Sequence, residues 1–255
     1  MADRAQPLLE HFGEIKRRMI RYGIFLVLMT ILAFFFYEEI FLFLEEPARE
    51  ALNPATGGQL IFTDVTEFWG ATAKICVIVG FALALPFLLW QVMMFLRPGL
   101  TSRERKYLYL MIPGGTLSFI VGVAFSYYII LPEAITFLLS FGGEVATPYI
   151  RVGSYVNLMV NLMFWMGIVF EIPIMMFFLA KIGIVSARWL GRQRRWAILM
   201  AFVMGALITP TFDPVNQVFV AGPVIVLFEL GYWLARIAER SRAGAPARIG
   251  GSTGG

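Results

Sequence analysis

Glu171 stands in the run FWMGIVFEIPIMMFF and is the only acid or base between Val152 and Ala180. A stretch that long and apolar reads as a membrane span. A carboxylate at the centre of one costs about 2.5–3.5 kcal/mol on insertion scales. Such a residue faces a protein partner or a wet cavity, which makes it a candidate functional group. On a helical wheel Asn157, Asn161 and Glu171 share a face about 80° wide. A narrow polar stripe can hydrogen-bond another transmembrane helix, or it can fix packing to a neighbouring span. The same carboxylate could also carry a proton.

Two further segments hold acids among bases. The first is FLRPGLTSRERKYL, Phe95 to Leu108. Arg97-Pro98-Gly99 ends a span, and Thr101 or Ser102 can cap a new helix with Glu104 in its first turn. There Glu104 can offset the helix dipole and pair with Arg103 or Arg105. The second is PLLEHFGEIKRRMIRYG, near the N-terminus. Leu8, Leu9, Phe12, Ile15 and Met19 form an apolar face, while Lys16, Arg17 and Arg18 suit anionic lipid. Glu10 and Glu14 lie one turn apart, and Glu14 can pair with Arg18 at i,i+4.

Other chemistries are excluded. The chain has 1 Cys and 1 His, Cys76 and His11, so neither a disulfide framework nor a Cys-based or His-rich metal site can form. It lacks a Walker loop, an HExxH helix and a GxSxG elbow. No catalytic residue, metal, cofactor or nucleic-acid partner is expected.

These groups must be positioned by membrane helices. Apolar residues make up 59% of the chain and charged residues 15%, far from a soluble average of about 25% charged. The sequence predicts an all-α integral membrane protein with six transmembrane helices. They run over about Tyr22–Phe43, Phe68–Phe95, Leu108–Leu131 and Tyr155–Ala180, then two short ones, Trp196–Ile208 and Val218–Leu234. Of the 21 Lys and Arg, all but Arg49, Lys74 and Arg151 fall on one side of this arrangement. That places both termini in the cytoplasm. Pro86, Pro173 and Pro223 lie inside spans and should kink them, giving a concave surface. The expected organisation is a cytoplasmic amphipathic N-terminal helix over 1–21, a transmembrane domain over 22–235, and a disordered tail over 236–255. The Gly-rich tail ends in GGSTGG.

Six motifs in order, spread over Pro7 to Arg236, resemble the TatC family, the polytopic subunit of the twin-arginine protein translocase. They are HFGEIKRR, FLRPGLTSRER, SFIVGVAFSYYIILP, GIVFEIP, GRQRRW and TPTFDPVNQ. The resemblance implies a receptor in the inner membrane of a bacterium or archaeon. It would bind paired-arginine signal peptides on the cytoplasmic side. It would work with TatA- and TatB-type single-span proteins to export folded proteins, driven by the proton-motive force with no nucleotide. Glu14 and Glu104 would then receive the two arginines. Bidentate guanidinium pairing explains why lysine is a poorer substitute. Phe95 would line that site, and Lys16, Arg17, Arg103 and Arg105 would hold the carboxylates ionised and placed. Glu171, with Asn157 and Asn161, would dock a partner helix in the membrane. Self-association of the chain is also compatible with the family. Where the family often has TPPD, this chain reads TPTFDP, so Asp213 and Gln217 are taken as structural candidates. The alternative reading is a proton-coupled secondary transporter that uses Glu171.

Overall fold

The computed structural model describes residues 5–49, 60–97, 104–140, 149–208 and 214–243. Thr209 to Asp213, including the TPTFDP turn and Asp213, lie outside the described residues, as does Arg103. The described chain is helical almost throughout. Helix α1 covers Ala5–Phe35, α2 Tyr37–Arg49, α3 Glu67–Leu96 and α4 Glu104–Phe125. One π-helical segment, Ser126–Ile130, joins α4 to α5, Leu131–Ser140. Then come α6 Val152–Lys181, α7 Ala187–Arg192, α8 Arg194–Ile208 and α9 Pro214–Ala243.

Five stretches are long and apolar enough to cross a bilayer: Gly13–Phe35, Glu67–Phe95, Tyr109–Ser140, Val152–Lys181 and Gln217–Ser241. The expected fifth span, α8, has 15 residues. At 1.5 Å per residue it reaches roughly 22 Å, short of a core about 30 Å thick. The sixth span, expected to be short over Val218–Leu234, is instead 25 residues long, Gln217–Ser241. The helix runs on past Leu234 because a charge ends an apolar run without ending a helix. Arg236 stays helical and lies 5.5 Å from the Trp233 ring centre. The first span also differs. It turns at Phe36, and α2 restarts with Glu38 and Glu39 in its first turn, where acids suit the helix dipole. Pro86, Pro173 and Pro223 all sit inside helices that continue through them.

Helix α6 is the centre of the assembly and packs on α9, α4 and α3. Its Val156, Met159, Leu162, Met166 and Val169 join Ile75 of α3, Leu131 of α5 and Val220 and Ala221 of α9 in the main core. Helix α1 is peripheral: 6% of its apolar window is buried, against 39% for α6, so it faces lipid and leans on α3. Lipid tails are as apolar as leucine, so burial alone does not hold such helices together. Close backbone approach does. A Cβ on Gly80 of α3 would stand 2.7 Å from the Thr30 Cα of α1. On α4, a Cβ on Gly122 would stand 2.7 Å from the Met166 carbonyl oxygen of α6.

Polar pins add register. Tyr155 Oη donates to the Leu44 carbonyl (2.7 Å) and Tyr127 Oη to the Phe43 carbonyl (2.6 Å), tying α2 to α6 and to the π-helical segment. Glu67, at the start of α3, accepts from Arg151 Nη2 (2.8 Å), the Gly153 amide (2.9 Å) and the Thr63 amide (3.0 Å). The carboxylate thus caps the first turn of α6 from another helix. Nearby Asp64 accepts from the Thr66 amide and hydroxyl, and the amide bond foremost holds its carboxyl below the usual range. At the far end of α6, Gly183 (φ 79°) closes a Schellman turn, its amide on the Ala180 carbonyl and the Ile184 amide on that of Leu179.

The α1–α3 crossing makes a direct prediction. Gly80→Leu should cost about 1–3 kcal/mol by overpacking. Gly70→Leu on the same helix, where nothing lies within 4 Å of the added Cβ, should cost much less. Thermal unfolding of the two detergent-solubilised variants measures the difference.

Candidate functional site

The basic end of the molecule gathers the N-terminal half of α1, the C-terminus of α3, the start of α4 and the C-terminus of α6. Met93, Met111 and Phe178 from the last three helices pack together there. Lys181 of α6 donates to the Ser241 hydroxyl of α9, so the described end of α9 lies at this end too. This is where the sequence placed its acids and bases.

Helix α1 presents Glu14 and Arg18 to α3. Their spacing puts them on one face, and Arg18 binds the Glu14 carboxylate as i,i+4 pairing predicts. Arg18 Nη1 also reaches the Gln91 carbonyl at 3.5 Å, so the guanidinium bridges the two helices. Below it a groove of about 320 Å³ is lined by Ile15, Arg18, Met19, Tyr22, Leu88, Gln91, Val92 and Phe95. The Tyr22 hydroxyl is buried there with no hydrogen-bond partner among the described residues. Phe95 therefore belongs to the same groove as the Glu14–Arg18 pair. Lys16 and Arg17 are exposed on α1.

Arg105 lies elsewhere. It shares a crevice with Trp90, Met93, Met94, Arg97, Tyr109 and Ile112, and its Nε is buried with no hydrogen-bond partner among the described residues. Residues 88, 91, 92 and 95 project from one side of α3, and 90, 93, 94 and 97 from the other. Helix α3 therefore separates the Glu14 groove from the Arg105 crevice. Glu104 is the first residue of α4.

Glu171 points from α6 between α3 and α4. A Cβ on Gly115 of α4 would stand 2.9 Å from its Oε2, and the same Cβ would meet Leu89 Cδ1 of α3 at 2.8 Å. Both carboxylate oxygens are buried and hydrogen-bond nothing among the described residues. Next to it, Ser118 Oγ donates to the Phe170 carbonyl at 2.6 Å. Glycine at 115 makes the space that Glu171 occupies, a contact that spacing along one helix does not reveal. Asn157 is exposed and accepts from Lys74 of α3, while Asn161 is half-buried. So α6 offers its amides at the opposite end from the bases and its carboxylate some four turns away. Gln217, a structural candidate, donates to the Phe202 carbonyl at 2.7 Å and locks α9 to α8.

The family description "Sec-independent protein translocase protein (TatC)" matches residues 10–223. The chain belongs to the TatC family. It is 33% identical to the TatC protein of Carboxydothermus hydrogenoformans, over 94% of this chain and 96% of that one. It is 36% identical to the TatC protein of Koribacter versatilis, over 91% and 86%. It is also similar to a solved structure described as the twin arginine translocase receptor TatC. The TM-score is 0.80 and the identity 34%, with 89% of this chain and 99% of that one covered. This TatC-family chain is thus a multi-pass membrane component of a protein translocase and not an enzyme. Family membership leaves the proton-coupled transporter reading of Glu171 without support.

Sequence reasoning missed Gly115, the bridge from Arg18 to Gln91, and the role of Lys74. The signal for Lys74 was present: it is the one base inside the second span. The α4–α6 wall behind Glu171 can be tested directly. Ser118→Ala should cost about 0.6 kcal/mol, the mean for an interhelical hydrogen bond in a membrane protein. Gly122→Leu should cost about 1–3 kcal/mol. Unfolding of the two variants in mixed micelles reads both.

Proposed function

We propose that this chain is the receptor and core subunit of a twin-arginine translocase in the cytoplasmic membrane, with both termini on the cytoplasmic side. It binds paired-arginine signal peptides at its basic end and assembles with TatA- and TatB-type single-span proteins to export folded cargo. The proton-motive force drives the cycle. The observation that carries this reading is the Arg18 guanidinium seated on Glu14 beside the groove that holds Phe95. A carboxylate already occupied by a guanidinium is chemically suited to accept another. An incoming arginine would compete with Arg18, and Glu104 would take the second one. Lys16, Arg17, Arg103 and Arg105 would keep the two carboxylates ionised until the signal arrives.

A synthetic signal peptide tests this. Binding to the detergent-solubilised protein should weaken at least tenfold on Glu14→Ala or Glu104→Ala, the loss of about 1.4 kcal/mol expected when a charge-assisted pair is removed. A paired-lysine peptide should bind less well than the paired-arginine one. Equal affinity for the two peptides, unchanged by either substitution, would sink the assignment.

In the same reading Glu171 meets a polar residue on a partner's transmembrane helix; of the two amides expected to share that role, Asn161 lies on the same helix some three turns away and Asn157 is bonded to Lys74 instead. The buried and unbonded oxygens of Glu171 support its docking role, since such a group needs a donor. Co-purification of a TatA- or TatB-type partner should then survive Glu171→Gln better than Glu171→Ala or Glu171→Leu. If Gln fails as completely as Ala, the docking role is wrong.

A further inference from the structure

Lys74 is a cation inside the span Glu67–Phe95. Its ammonium donates to Asn157 Oδ1 of α6, a neutral amide that cannot balance the charge. Asn157 is exposed and lines a groove of about 290 Å³ between α5 and α6. Ile135, Leu138 and Leu139 form the α5 wall, and Ile150, Ser154 and Leu158 face them from the α6 side. The Tyr155 hydroxyl at the groove is already spent on the Leu44 carbonyl. The exposed Ser154 hydroxyl and the Asn157 amide line the groove beside an apolar surface, and the half-buried Lys74 ammonium meets its edge through Asn157. No carboxylate lines this groove among the described residues. Two acids at the α3 rim are committed, Glu67 to Arg151 and Asp64 to Thr66.

Depth decides what can come. The Glu67–Arg151 pair and the Gly153 amide mark the charged rim at this end. Asn157 lies one turn further into α6, about 6 Å below Gly153 at 1.5 Å per residue. Lys74 starts about 10 Å below Glu67 and extends its chain back up to meet Asn157. The polar zone of a bilayer leaflet is roughly 5–7 Å deep. The ammonium therefore sits about one helical turn from that charged rim, in the outer part of the span and not at its middle.

We propose that Lys74, Asn157 and Ser154 form a binding site for an anionic phospholipid in the leaflet opposite the basic end. The phosphate takes the ammonium and the two neutral donors, and an acyl chain lies along Leu138, Leu139 and Leu158. A zwitterionic headgroup fits less well, because its cation finds no acid among the described residues of the groove. The site is independent of signal recognition at the basic end.

The test uses the full-length protein, delipidated in detergent and titrated with phosphatidylglycerol or with phosphatidylcholine of the same chains, the bound lipid counted by native mass spectrometry. Phosphatidylglycerol should bind more tightly. Lys74→Gln should weaken it about fivefold, the effect of one basic residue at a lipid surface, while Lys74→Arg retains it. Lys181→Gln removes the same charge at the other end and should leave this site unchanged. Equal binding of the two lipids overturns the proposal, as does an equal loss in the Lys74→Gln and Lys181→Gln proteins. Millimolar inorganic phosphate should not displace the lipid; if it does, the site takes a free anion and the lipid assignment is wrong. A melting curve for Lys74→Gln that matches the parent protein shows that any lost binding is local. If Lys74→Gln unfolds, Ser154→Ala together with Asn157→Leu replaces it and should weaken phosphatidylglycerol alone.

Discussion

The close seating of α6 against its neighbours is the constraint on which the other features rest. In hydrocarbon there is little gain from hiding one leucine behind another, so van der Waals fit and interhelical hydrogen bonds hold helices together. Here α4 comes close enough that a Cβ on Gly122 would collide with the Met166 carbonyl, and Ser118 bonds the Phe170 carbonyl beside it. On the other side Gly231 of α9 leaves room for Met176 and Pro173 of α6. A helix gripped on both flanks by small residues has little freedom to rotate. The direction of every polar side chain it carries follows from that grip.

Glu171 shows the consequence. Its position is the meeting point of Gly115 and Leu89, and its oxygens are shut away from any donor of the described chain. A buried acceptor left unbonded costs about 1–3 kcal/mol, more when charged. A protein that retains such a group gains something else from it, which under the proposed docking role is a donor on a partner's helix. The two ends of α6 are held differently. At one end Glu67 caps the first turn from α3; at the other a Schellman turn at Gly183 leads into α7. Both devices satisfy backbone groups that a buried helix end would otherwise leave bare.

Much of the fold was legible in the chain. Blocks of apolar residues, the one-sided distribution of bases and the shortness of α8 all follow from bilayer thickness and the cost of charge. The length of α9 was not, since Arg236 and Glu239 interrupt hydropathy while leaving the helix intact. The turn at Phe36 was likewise hidden in a run of aromatic residues with no helix breaker. For the candidate site, the pairing of Glu14 with Arg18 could be read from their spacing. That Phe95 shares their groove while Arg105 stands across α3 could not, because facing directions of two helices depend on how they cross.

The residue types and the order of motifs, taken alone, determine an all-helical membrane protein of the TatC family, with acids among bases near one end and a lone carboxylate in a span. Those conclusions rest on transfer energetics and local periodicity, which act along one segment at a time. Which groups meet was decided only by tertiary structure: Lys74 with Asn157, Glu67 with Arg151 and Gly153, Glu171 with Gly115. Each joins residues more than fifty positions apart in the chain. Such contacts are set by helix crossings and by where glycine permits them, and no local pattern encodes that.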